Sequence, residues 1–262
     1  MIRPKHIRED RITLDQKSHT YFIDSKDGYK SVTETIKSFF PPFKKHAIIS
    51  CLMKKTSKTW HQIEDEWIKK REFGTLMHNQ IEEFLNTNQW SCDDPDIITC
   101  RNQFINFWQN LDRVHKIKNF RPEMKIFDEE YKIAGSIDLL VEFEDGACEL
   151  FDWKCIPILR TSGYCRGYHP FENYDDTNHS HYLIQLNMYK FILEKYYDIV
   201  ISKIHIVQFN PCLDDYKQHT LIHITEDIKR AMEVKPSECE PQSIYKKPLF
   251  FSNVPKVDQS CQ

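Results

Sequence analysis

Between Gly135 and Lys154 the chain reads GSIDLLVEFEDGACELFDWK, two strand-like stretches of mixed apolar and polar residues. They are separated at Glu144-Asp145-Gly146, where Gly146 can take the positive φ of a tight turn, so the stretch predicts a β-hairpin. A three-residue loop at 144–146 pairs Phe143 with Ala147 and, counting outward, Asp138 with Asp152. That register gathers Ile137, Leu139, Val141, Phe143, Phe151 and Trp153 on one face and puts both acids, with Lys154, on the other. A two-residue loop would drive one carboxylate into the apolar layer. The cost of burying it unpaired selects the odd loop.

The same reading extends along the chain. Residues 11–30 alternate around Ile12, Leu14 and Tyr21 to Ile23, with a turn at Asp27-Gly28, and predict a small N-terminal hairpin. Ser31 to Glu34 offers a capping box for a helix carrying Ile36, Phe39 and Phe40, which Pro41-Pro42 ends. From Lys44 to Asn86 the period is helical: Ala47, Ile48, Cys51 and Leu52 form one stripe, and Trp60, Ile63 and Trp67 another. Phe73-Gly74-Thr75 punctuates this pattern. A new helix is expected from Gly74 or Thr75, burying Met77, Ile81, Phe84 and Leu85. Ile97 to Leu111 is a further amphipathic helix, with Phe104, Phe107 and Trp108 directed at the core. Strands are expected over Met124 to Asp128 and Tyr131 to Val141. Glu123, Glu129 and Glu130 read as strand-edge charges, with room for one of them beside a metal. Tyr182 to Tyr197 predicts a helix, Ile199 to Phe209 and Lys217 to Ile224 strands, and Thr225 to Met232 a short helix.

These elements make an α/β fold with a mixed central sheet, containing the 131–154 hairpin and the 203–209 strand, flanked by helices 74–86 and 182–197. One domain over 1–262 is the economical organisation: a core of about 70–233, an N-terminal lead-in of 1–43 and a loosely packed tail of 234–262. With 262 residues, 40% of them hydrophobic and 29% charged, the composition is that of a globular protein with a substantial core. No apolar run is long enough to span a membrane, and the N-terminal residues lack an apolar leader. The nine cysteines are scattered without a CxxC pair, which suits reduced thiols, so an intracellular, non-secreted protein is expected. A net charge of −3 excludes a globally basic nucleic-acid binder, so any phosphate-binding surface has to be local.

Two carboxylates and a lysine within hydrophobic strands call for an explanation. Carboxylate oxygens are hard ligands suited to Mg²⁺, and a lysine beside them can orient or deprotonate an attacking water or neutralise charge on a phosphate. A buried Asp–Lys ion pair is the plainer alternative. His78 and Glu82 stand four apart on one helix face and could reach a metal, or could form a surface pair. Gln185 and Tyr189 share a face of the 182–197 helix, able to position a phosphate or base, or to pack in the core. Residues 155–181 form a long aromatic- and histidine-rich stretch. Cys165, His169, His179 and His181 there fit no familiar zinc spacing. A flap in which Arg160, Arg166 and the tyrosines grip a nucleic-acid strand is the favoured reading, against a plain surface loop.

In order, Gly74-Thr75-x-x-His78-x-x-x-Glu82, Ala134-Gly135-Ser136-Ile137-Asp138, Asp152-Trp153-Lys154 and Gln185-x-x-x-Tyr189 resemble the RecB-type branch of the PD-(D/E)xK nucleases. Within it the chain is similar to phage-type and mitochondrial genome maintenance exonucleases, over roughly residues 70–210. The resemblance implies a restriction-endonuclease-like core and a Mg²⁺- or Mn²⁺-dependent deoxyribonuclease acting on a DNA single strand or duplex end, in replication, recombination or repair. It implies Asp138 and Asp152 as metal-binding acids, with His78 and the Trp153 carbonyl completing the metal shell. It further implies Lys154 as the catalytic lysine and Gln185 and Tyr189 as DNA-orienting groups, while Glu82 is a possible addition. Some relatives hold an Fe–S cluster on clustered C-terminal cysteines. Cys212, Cys239 and Cys261 are too widely spaced for one, so none is expected. A catalytically silent nucleic-acid-binding module and a structural subunit with ion-paired acids are the competing functions.

Overall fold

The computed structural model describes residues 1–233; the expectations for the tail, and for Cys239 and Cys261, lie outside them. After a 3₁₀ turn at Ile7–Arg11, three strands (β1, Ile12–Asp15; β2, Thr20–Ile23; β3, Lys26–Ser31) lead into three helices (α1, Val32–Ser38; α2, Lys45–Thr56; α3, Trp60–Thr87). A fourth helix (α4, Pro95–His115) precedes β4 (Ile117–Asp128), β5 (Ile133–Phe143) and β6 (Cys148–Lys154). The described chain closes with α5 (Asn178–Tyr196), β7 (Ile201–Gln208), β8 (Lys217–Leu221) and α6 (Thr225–Glu233). The eight strands form a mixed sheet in the order β1-β2-β3-β5-β6-β7-β8, with β4 also paired to β5. The β3–β5 and β6–β7 pairs are parallel and the others antiparallel.

This is an α/β protein with helices on both sheet faces. Leu140, Leu150, Ile204 and Ile206 pack with Ile184, Leu186, Ile192 and Leu193 of α5 and with α1 and α6. Leu139, Val141, Phe143, Phe151 and Trp153 pack against Met77, Ile81, Phe104 and Phe107 of α3 and α4. The strand period thus feeds two apolar layers, which is why both faces of β5 and β6 are buried. The hairpin takes the expected register: Leu139 lies opposite Phe151 and Leu140 opposite Leu150, and Phe143 N–H donates to the Ala147 carbonyl at 2.9 Å. Gly146 turns at φ +85°, as the loop demands. Ile137 departs from its expected company and packs in the α5-side cluster, beside Met124 and Ile126.

Several boundaries differ from the sequence reading. The N-terminal stretch contributes three strands, and β2 turns into β3 at Asp24-Ser25, whose φ values are +51° and +64°, while Gly28 lies inside β3. α3 runs unbroken through Gly74 for 28 residues. Ile63 on one side of the glycine and Met77 and Ile81 on the other are buried, and that packing exceeds the roughly 1 kcal/mol a mid-helix glycine costs. The stripe expected on α2 (Ala47, Ile48, Cys51 and Leu52) is largely exposed, and the buried residue of the helix is Ile49, outside that stripe. β4 begins at Ile117, before Arg121-Pro122, and α5 starts at Asn178, where the Thr177 hydroxyl accepts from Ser180 N–H. No helix among the described residues is long and apolar enough to cross a membrane.

Candidate metal centre

β5 has β4 along the whole of one edge. Its other edge is shared, with β3 pairing at Ile133 and Ala134 and β6 pairing at Leu139 to Glu142. Gly135 to Asp138 lie between these ladders, where β3 and β6 part. Here a side chain takes over from backbone pairing: Trp153 N–H donates to Asp138 Oδ2 at 2.8 Å. Pro122 lies opposite Leu139 and Met124 opposite Ile137, so Glu123 stands across from Asp138, which the hairpin register sets across from Asp152. Three acids thus occupy neighbouring positions on three adjacent strands. Like charges so arranged repel, and a cation or a proton among them relieves the repulsion.

His78 of α3 reaches this row. Its Nε2 is 3.1 Å from the Trp153 carbonyl oxygen and its Nδ1 is 3.5 Å from Asp138 Oδ2. A carbonyl oxygen only accepts, so the network assigns the proton to Nε2 and leaves a lone pair on Nδ1. That lone pair faces a carboxylate oxygen, which also only accepts. Burial, followed by the Lys154 charge, holds the imidazole down to about 4, so near neutrality it is uncharged. A metal-binding histidine has this form: one nitrogen anchored to a carbonyl, the other bare. Ligand atoms of His78, Glu123 and Asp138 all lie within 4.8 Å of one another. Burial and the neighbouring Asp138 charge push Glu123 up to about 8, although Ser136 Oγ donates to it at 2.8 Å. Asp138 is raised by burial, against the pull of Lys154 and the Trp153 N–H.

Asp152 is engaged otherwise. Its Oδ2 lies 2.6 Å from Lys154 Nζ, and its Oδ1 accepts from Gln185 Nε2 at 3.4 Å. Gln185 also donates to the Tyr189 hydroxyl at 3.1 Å, and the Lys154 ammonium sits 4.6 Å from the Tyr182 ring centroid. Burial raises Asp152 to about 6 even with the ammonium beside it. For Lys154 burial works against the charge, but Asp152 and Asp138 outweigh it and raise the ammonium above its ordinary value. Gly135 is the residue that lets Tyr189 in, since a Cβ there would stand 2.5 Å from the Tyr189 ring. Gly135→Ala is therefore expected to displace Tyr189 and destabilise the protein by about 1–3 kcal/mol, the usual cost of overpacking. Thermal melting of that variant, with Tyr189→Leu as the relieving second change, is the check.

The structure thus brings together His78, Asp138, Trp153, Asp152, Lys154, Gln185 and Tyr189. Glu82 stays outside the converging set, though its charge acts on Glu123. Of the three glutamates read as strand-edge charges with room for one beside a metal, Glu123 is the one that converges with His78 and Asp138. Its place depends on the β4–β5 turn, where Asp128 pairs with Ile133, and a two-residue turn after Asp128 would have set Asp138 opposite Arg121. The 155–181 stretch is fastened to the fold: Tyr168 N–H donates to the Phe39 carbonyl, Tyr174 bonds Asp227 of α6, and Phe171 is fully buried. Two of its three histidines have separate partners, His169 on Glu172 and His181 on Asp176.

No family model and no curated protein matches the chain. Among solved structures it is similar to the crystal structure of SSO0001, at 12% identity and a TM-score of 0.38 over 79% of this chain and 74% of that one. A likeness that distant carries no argument about activity.

Proposed function

We propose that this protein is a metal-dependent nuclease with a restriction-endonuclease-like core, hydrolysing DNA phosphodiester bonds and acting from strand ends. One observation carries the reading: the bare Nδ1 of His78 converges with Glu123 and Asp138, beside a buried Asp152–Lys154 pair. One imidazole and two carboxylates, with lone pairs facing each other, fit Mg²⁺ or Mn²⁺. An ion held by His78, Glu123 and Asp138 would supply a Lewis acid for the scissile phosphate and lower the pKa of a bound water.

The chain's own groups supply the rest. Trp153 orients two of the three donors, through its carbonyl on His78 and its N–H on Asp138. Lys154, kept protonated by Asp152, offers a positive charge to the phosphate and a hydrogen-bond donor to the water. Gln185 ties Asp152 to Tyr189 and so sets where that ammonium stands. Asp152 would become a further ligand only when Lys154 turns to substrate.

The test is purified protein with Mg²⁺, with Mn²⁺ and with EDTA, on end-labelled linear, circular and single-stranded DNA. Metal-dependent release of nucleotides from linear but not circular DNA is the expected result. Cleavage of circles would replace exonuclease by endonuclease. Binding without cleavage under either metal would leave a catalytically silent nucleic-acid-binding module.

A further inference from the structure

We infer that Tyr182 is a positioning residue for Lys154, its ring holding the ammonium when Asp152 releases it towards substrate. This rests on the nuclease reading for the step it serves, but not for the contact itself. The Lys154 ammonium lies 2.6 Å from Asp152 Oδ2 and 4.6 Å from the centroid of the Tyr182 ring. The second distance is inside the ~6 Å reach at which the face of an aromatic ring attracts a cation. The lysine side chain is mostly buried, so water screens that attraction weakly.

Helix α5 builds the arrangement from one face. Tyr182, Gln185 and Tyr189 are spaced three and four apart, and so lie within roughly 60° of one another around the helix. Each meets a residue of the centre: Tyr182 the Lys154 ammonium, Gln185 the Asp152 carboxylate, and Tyr189 the space that Gly135 leaves open. The motif that carries the nuclease resemblance includes Gln185 and Tyr189 and not Tyr182. The start of the helix sets its place. The Thr177 cap makes Asn178 the first helical residue, which puts Tyr182 in the second turn, behind the turn most prone to fray.

The need for such a group follows from the Asp152 pair. While Asp152 Oδ2 holds the ammonium, that oxygen is engaged and the ammonium is kept from a phosphate. Leaving a buried carboxylate is costly for a lysine unless another group takes up its charge. A ring does so through its quadrupole, and it leaves the N–H donors free for a phosphate oxygen or a water. It also adds no charge to a row that already holds Glu123, Asp138 and Asp152. A further carboxylate would add repulsion there, and a leucine would fill the space without attracting the cation.

The experiment measures single-turnover DNA cleavage with Mg²⁺ by full-length Tyr182→Phe and Tyr182→Leu. It is repeated with 4-fluoro-, 3,5-difluoro- and 3,4,5-trifluorophenylalanine at position 182, which weaken the negative ring face with little change of shape. Tyr182→Phe should stay within about threefold of wild type, and Tyr182→Leu should lose about tenfold or more. The fluorinated series should fall stepwise between them, with DNA affinity in EDTA unchanged. A role in packing alone would give one rate across the fluorinated series, and that result would overturn the inference. Tyr182→Phe as slow as Tyr182→Leu would also overturn it, by moving the role to the hydroxyl. A second readout needs no cleavage: the ring current of Tyr182 should shift the Lys154 ε-protons upfield in NMR spectra. The shift should persist in Asp152→Asn and vanish in Tyr182→Leu. Its absence in Asp152→Asn would overturn the positioning role whatever the cleavage rates. Its presence, with no cleavage by wild type under any metal, would support the ring–ammonium contact and remove the nuclease.

Discussion

Replacing Lys154 by alanine is expected to lower DNA cleavage by about 10²–10⁴-fold, the range for loss of a positioned proton donor or a charge-stabilising group. The same change should make the protein less stable, and more so as pH rises. Lys154 and Asp152 form an ion pair in which the aspartate side chain is 2% exposed and the lysine 15%. Removing one partner of a buried pair costs about 3–5 kcal/mol, because the other is left charged and unpaired. Asp152 already sits at about 6 with the ammonium present, so without it the carboxyl will take up a proton more readily still. An acid whose folded pKa lies above its unfolded one binds more protons when folded, so stability falls as pH rises from about 4 through the folded value. The variant should approach wild-type stability at pH 5 and be weakest at pH 8. Asp152→Asn combined with Lys154→Ala should recover stability and not cleavage. Urea melts at the two pH values, beside single-turnover cleavage rates, decide it. A pH-independent loss, or turnover restored in the double variant, would contradict the assigned pairing.

The second large effect concerns divalent ions. In EDTA the protein should lose stability as pH rises from about 4.5 towards about 8, because Glu123 holds a proton when folded that it releases when unfolded. Mg²⁺ or Mn²⁺ at a hundred times its dissociation constant should add about 2.7 kcal/mol, through binding to the folded state alone. That gain should grow with pH, since the carboxyls must release protons to bind metal. Glu123→Gln should flatten the metal-free pH dependence and remove most of the metal stabilisation, and the difference between variant and wild type isolates this carboxyl from others. Equal metal stabilisation in Glu123→Gln and wild type would exclude Glu123 from the ligand set.

Much of the site's skeleton follows from short-range rules. The loop at 144–146, the positive φ of Gly146 and the cost of a buried carboxylate together place Asp138 across from Asp152, and Lys154 follows by strand parity. Gln185 and Tyr189 are adjacent because a helix brings every fourth residue onto one face. Each of these inferences needed only neighbours in sequence.

What the local pattern left open has a common cause. Whether Gly74 ends a helix was decided by burial of Ile63, Met77 and Ile81 on either side of it, not by its own propensity. Which of Glu123, Glu129 and Glu130 stands beside Asp138 was decided by a β4–β5 turn whose length carries no clear signal in Glu129 to Lys132. Alternation and turn chemistry along the chain determined the α/β class, the hairpin and the facing of its acids. Only the tertiary structure could part β3 from β6, bring in His78 from 75 residues before Trp153, and turn its bare nitrogen on Asp138. Local rules act through neighbours and the hydrogen bonds of one element, whereas convergence of distant elements is set by which faces pack together, a property of the whole fold.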